Sequence, residues 1–228
     1  MALKHYLSLA LLFEYPKLGA TQLGFANVVL QVRDGLPNKY NEAKLFLDHF
    51  QKSIALLSEV ELEEIYTRTF DVQALTTLDI GYVLFGDDYK RGKLLSHLNR
   101  EHNKAHNDCG TELADHLPNV LRLLSTWDHY ELTQDFIQFI LAPALRKMIG
   151  EFDIENLNSK EKFYKKAYKT LIDSVQSHRL LYLFPLQALY AVIQKDFEVT
   201  EDEPQEKKSD FLESILKEFE TEERGEGV

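Results

Sequence analysis

The chain has 228 residues and 26.5 kDa, enough for one domain with a sizeable core, and it is 44% hydrophobic and 28% charged, as ordinary globular proteins are. Its net charge of −11 is unevenly spread: residues 198–228 carry −8, which leaves only −3 for the body. Three things are excluded: a phosphate-neutralising Lys/Arg stripe and hence nucleic acid, an apolar run of the roughly 18–20 residues that span a bilayer, and an internal disulfide, since Cys109 stands alone.

Helical periodicity dominates, with no period-2 strand pattern and no internal repeat. A first helix is predicted over about Ala2–Phe13, stopping at Tyr15-Pro16 because proline disfavours helix in the residue before it. A second covers about Thr21–Arg33 and ends in Asp34-Gly35-Leu36-Pro37; a third runs from about Asn38 to Leu57. Ser58 and Glu61 have capping-box spacing and open a fourth helix that reaches Phe70. Leu75–Phe85 is read as helix rather than strand. Asp87 or Asp88 caps the next, about Tyr89–His106, where an acid meets the positive end of the helix dipole.

Further helices are expected over about Glu112–Thr126, Leu132–Ile149, Lys160–Val175 and Leu180–Phe197. Pro143 and Pro185 should bend or split the second and last of these, each removing a backbone donor. Thr200–Lys208 reads as an acidic linker, and Phe211, Leu212, Ile215, Leu216 and Phe219 then form one apolar stripe at helical spacing. The expectation is an all-α single-domain bundle over residues 1–197, with an acidic linker and amphipathic helix over 198–228. That last helix is either structural or a tethered regulator of a binding groove.

Two polar interruptions stand out. Gly86-Asp87-Asp88-Tyr89-Lys90-Arg91-Gly92 lies between two apolar stretches, and Glu112-Leu113-Ala114-Asp115-His116-Leu117-Pro118 opens another. Read from residue types alone, both are turns and helix caps, with Leu117 and Leu121 as core. Arg91 can hold a carboxylate bidentately or pair with Asp71 or Asp115.

The order of these parts resembles the NarJ and TorD family, chaperones that assemble molybdenum-containing oxidoreductases. Phe70-Asp71 matches the family's Phe-Asp pair, Gly86-Asp87 with Arg91-Gly92 its Gly-Asp-x-x-x-Arg-Gly turn, and Glu112-Leu113, Asp115, His116-Leu117-Pro118 its Glu-Leu-Pro-Asp-[His/Tyr]-Leu-Pro segment. Leu9–Pro16 looks like the Leu-rich first helix ending in Tyr-Pro. Ala114 departs from the usual proline, and His102 falls near an expected tyrosine. The likeness covers about residues 3–130.

The resemblance implies a dedicated cytoplasmic chaperone, not an enzyme, with no bound cofactor, acting as a monomer or weak dimer without stable membrane insertion. Its partner would be the N-terminal peptide of a molybdenum oxidoreductase catalytic subunit, held until the cofactor is loaded and before membrane docking or export. The implied contact residues are Asp71, Tyr82, Asp87, Tyr89, Arg91, Glu112, Asp115 and His116 at the edge of an apolar groove, with Leu117 and Leu121 inside it. The absence of a secretory cleavage pattern near Lys4 and His5 agrees with a cytoplasmic setting.

The competing chemistry is a metal-dependent helical enzyme using His102, His106 and Cys109. The two histidines are four apart on one helix face, and N and S donors can hold zinc. The chain lacks H-E-x-x-H, G-x-S-x-G, G-x-G-x-x-G and the Walker glycine loop, so hydrolase and nucleotide-enzyme readings lack their usual anchors.

Overall fold

A computed structural model describes residues 3–16, 24–127, 130–153 and 180–199. The expected helix over 160–175, the linker 200–208 and the apolar stripe Phe211–Phe219 lie outside them. The described residues are all-helical, joined by turns, and carry no strand beyond one isolated antiparallel bridge between Asp79 and His116. Among the described residues, no helix is long and apolar enough to cross a membrane.

The elements are α1 (His5–Ala10, continued by a 3-10 turn to Phe13), α2 (Phe25–Gly35), α3 (Asn41–Ile54, preceded by a 3-10 turn Asn38–Tyr40) and α4 (Glu59–Phe70). After them come α5 (Ile80–Phe85), α6 (Tyr89–Lys104), α7 (Leu117–Leu124), α8 (Tyr130–Phe136), α9 (Ala142–Gly150) and α10 (Leu183–Phe197). The start of α4 follows the predicted capping box in both directions. The Ser58 hydroxyl accepts from Glu61 N–H, and Glu61 accepts from Ser58 N–H at 2.8 Å.

The two prolines behave differently. The chain widens into a π-helical stretch, Ile137–Leu141, just before Pro143, which lies in the first turn of α9. The missing donor and the bulk of the ring are absorbed there, so the predicted split is real and takes this form. Pro185 does not split α10. That helix begins at Leu183, so Pro185 occupies the first turn, where a backbone N–H would have no helical acceptor anyway.

α10 is apolar on most of its faces, with Leu186, Ala188, Leu189, Val192 and Ile193 buried, and it runs through the centre of the molecule against α3 and α9. α2 packs on α3, α1 on α7, and α5 on α9. Tyr182, just ahead of α10, is enclosed by the rings of Phe50, Tyr66 and Phe70 at 4.9–5.7 Å between centroids. Within this core α5 packs on α6, while the segment leading into α7 is brought to the start of α5, which positions the site.

Candidate functional site

The site is assembled where the segment leading into α5 meets the segment leading into α7. Ile80 N–H donates to the Asp115 carbonyl at 3.0 Å, and Leu117 N–H donates to the Leu78 carbonyl at 2.9 Å. These two rungs explain why α7 starts at Leu117 and not at Glu112 as predicted. Residues 115–117 are committed to a neighbouring chain segment, and Pro118 then supplies a first-turn residue that needs no donor. Likewise α5 starts at Ile80, later than the expected Leu75.

The turn before α6 works as its residue types suggest. Gly86 closes α5 at φ 60°, a conformation that favours glycine, and the Asp88 carboxylate accepts from Lys90 N–H at 2.9 Å as the cap of α6. Arg91 lies in the first turn of α6 and reaches inward. Its Nε donates to Asp115 Oδ2 at 3.0 Å and its Nη2 to Asp79 Oδ2 at 2.9 Å. The other oxygen of Asp79 meets His116 Nδ1 at 3.1 Å. The result is a linked series of side chains, Asp115–Arg91–Asp79–His116, with the Tyr82 ring 5.2 Å from the guanidinium carbon.

Gly81 makes this approach possible. A Cβ there would stand 2.6 Å from Asp115 Oδ2 and 3.3 Å from Arg91 Cγ, so any side chain would push the ion pair apart.

The electrostatics follow from burial and partners. Burial raises the Asp79 carboxyl, but the His116 hydrogen bond and charge, together with Arg91, outweigh it and hold it below the ordinary carboxylate range. Asp115 is fully enclosed, and burial pushes its carboxyl upward against the opposing pull of Arg91. Asp71, at the rim, is pushed upward by burial and then by the charge of Glu112.

Of the implied contact residues, Asp71, Tyr82, Asp87, Tyr89 and Glu112 are exposed, while Arg91 and His116 are half-buried. Three are corrected. Asp115, Leu117 and Leu121 are fully buried: the first is the internal anchor of Arg91, and the two leucines are core against α1, so none of them lines an open groove. Arg91 pairs with Asp115, as one of the two expected partners, but its second partner is Asp79 and not Asp71. Tyr89 carries the Lys93 ammonium over its ring, 5.4 Å from the centroid.

Sequence reasoning missed Asp79 and Gly81. A lone carboxylate ahead of the apolar run Ile80–Phe85 was the available signal, since a charge entering a core demands a partner. It also missed two apolar members of the rim: Val72 and Leu113 are 60% and 48% exposed, next to Asp71 and Glu112, while the expected Tyr82 is 44% exposed.

His102 is not on an exposed face. It is 2% exposed, its Nε2 bonded to the Ala114 carbonyl at 3.0 Å and its Nδ1 to Asn107 Nδ2 at 2.9 Å. Both ring nitrogens are therefore occupied, and His106 sits at φ 52° beyond the end of α6. The predicted His102–His106–Cys109 set is not assembled, and among the described residues no group of three or more His, Cys, Asp or Glu could hold a metal ion.

Fold and site together define an all-α protein in which a partly buried ion-paired cluster, anchored on the enclosed Asp115, lies beside a rim of exposed apolar and acidic side chains. Neither a protein-family model nor a curated protein matches the chain.

Proposed function

We propose that this chain is a dedicated chaperone for a molybdenum-containing oxidoreductase, gripping the N-terminal segment of the client's catalytic subunit at the face bounded by Asp71, Tyr82, Glu112 and His116. The observation that carries the reading is the meeting of separate motifs. Residues of the Gly86–Gly92 turn and the Glu112–Pro118 segment, the parts that resemble the NarJ and TorD chaperones, are joined through Arg91 and Asp115 at 3.0 Å. Asp71 is close enough to Glu112 and His116 to feel their charge. Pairing to the enclosed Asp115 makes the floor rigid, while Val72, Tyr82 and Leu113 leave apolar surface for a partner. A rigid polar floor under exposed apolar side chains suits an amphipathic segment, whose apolar face gives affinity and whose polar edge gives register.

The test is calorimetry with the first 30–40 or so residues of candidate clients, the length being about what one amphipathic helix and its flanks require. Binding is expected at micromolar affinity or tighter, about −8 kcal/mol, with a negative heat-capacity change. Tyr82→Ala with Leu113→Ser should weaken binding about ten-fold or more, or about 1.4 kcal/mol, at an unchanged melting temperature. If no candidate peptide gives heat or competes in pull-downs from the native host, the chaperone reading fails.

A further inference from the structure

The segment 105–116 carries Glu112, Asp115 and His116, yet it contributes little apolar surface of its own to the core. It contains two left-handed residues, His106 at φ 52° and Gly110 at φ 63°, and Leu113 points outward. A relay of polar side chains orders it. Asn119, fully buried on α7, donates from Nδ2 to the carbonyls of Leu113 at 2.9 Å and Cys109 at 3.3 Å. Asn107 donates from Nδ2 to the Asn119 carbonyl at 3.2 Å and to His102 Nδ1 at 2.9 Å. His102 in turn reaches the Ala114 carbonyl, one residue before Asp115.

The direction of every bond in this relay is fixed. A carbonyl oxygen cannot donate, so the Asn119 carbonyl obliges Asn107 to present its NH2 group there, and the same nitrogen faces His102 Nδ1. Nδ1 must then accept. The Ala114 carbonyl likewise obliges Nε2 to donate. The only state of His102 that satisfies both partners is the neutral Nε2–H tautomer. An added proton on Nδ1 would point at an NH2 group. Turning the Asn107 amide would relieve that clash only by setting its oxygen against the Asn119 carbonyl.

We propose that His102 is a proton-gated latch: neutral, it holds the 105–116 segment and with it the Asp115–Arg91 pair; protonated, it releases that segment. The charged groups facing it are Glu101 on its own helix and Arg122 on α7, with Glu14 pairing to Arg122 and Cys109 beside it. Burial lowers the basicity of the ring; the Ala114 hydrogen bond and Glu101 oppose this, and Arg122 adds to it. A base whose proton affinity is lowered by folding adds stability that is complete above the ordinary imidazole range, about pH 6.5, and is lost as pH falls through it. The latch rests on the geometry of the segment and not on the identity of the client, so its test reads order and not client binding.

The experiment is nuclear magnetic resonance on the full chain between about pH 8 and pH 5, a range bracketing imidazole titration. Long-range proton–nitrogen correlations report the tautomer of His102, and hydrogen exchange reports protection of the Glu112 and His116 amides, which bond within the segment. The expected result is an Nε2–H ring at pH 8, and an at least ten-fold loss of protection at those amides whose midpoint coincides with protonation of His102, while α3 and α10 stay protected. His102→Gln keeps one donor and one acceptor and should retain the order without the pH step; His116→Gln should keep the step. An Nδ1–H ring at pH 8, unchanged protection through the His102 titration, or the same step in His102→Gln would each overturn the proposal.

Discussion

Replacing Arg91 with alanine is expected to cost about 3–5 kcal/mol of folding stability, a large share of what a domain of this size possesses. The reason is what stays behind. Asp115 is fully buried and would keep its carboxyl beside the Gly81 backbone with no cation, while Asp79 would retain only His116. Arg91→Lys should rescue only part of the loss, because a compact ammonium cannot span two carboxylates as the guanidinium fork does. Urea unfolding at neutral pH measures both. A loss below about 1 kcal/mol for Arg91→Ala, the size of an exposed surface pair, would mean the cluster is ornamental to the fold.

A second large effect is expected at Asp196, near the end of α10. The Asp196 carboxylate, 2% exposed, receives His5 Nε2 and Lys39 Nζ at 2.7 Å each, Tyr40 OH at 2.6 Å and Tyr6 OH at 3.3 Å. It ties α10 to α1 and to the 3-10 turn before α3. Asp196→Ala should cost about 3 kcal/mol, since it strands several donors, among them the buried Tyr6 hydroxyl.

The pH dependence follows from the same contacts. Burial acts to raise this carboxyl, yet His5, Lys39 and Tyr40 outweigh it and hold it down to about 2. A carboxyl lowered by folding contributes stability that is complete above its unfolded value near pH 4 and disappears as pH falls toward 2, here about 2 kcal/mol. The stability gap between the parent chain and Asp196→Asn should therefore shrink by that amount between pH 5 and pH 2. A gap that does not change with pH would show that the carboxylate's charge is irrelevant to the clasp.

Local chemistry was legible in the sequence and long-range geometry was not. The Ser58–Glu61 box, the Asp88 cap, the break at Gly86 and the disturbance at Pro143 are all decided within a few residues, and each is found where its pattern lies. The Arg91–Asp115 pair was legible as a possibility because an arginine in a polar turn needs a carboxylate. Asp79 was not, since its partners lie 12 and 37 residues along the chain. The start of α7 was misjudged for the same reason. Helix propensity favours Glu112, but backbone groups already bonded to residues 78 and 80 cannot also join a helix. His102 shows the remaining limit, because the side of a helix that is buried depends on which neighbour arrives.

The two rungs joining residues 78 and 80 to 115 and 117 bear on how the molecule reaches its native state. Closing a loop of some 37 residues costs chain entropy before any contact repays it, whereas α4, α6 and their caps form from neighbours. The site would then be completed after the barrier to folding has been crossed. Damage to it should appear almost wholly as faster unfolding, with the folding limb of a chevron unmoved. A protein built in that order has this ion-paired cluster as its last-formed and first-lost part, and it can relinquish that cluster without dismantling its centre.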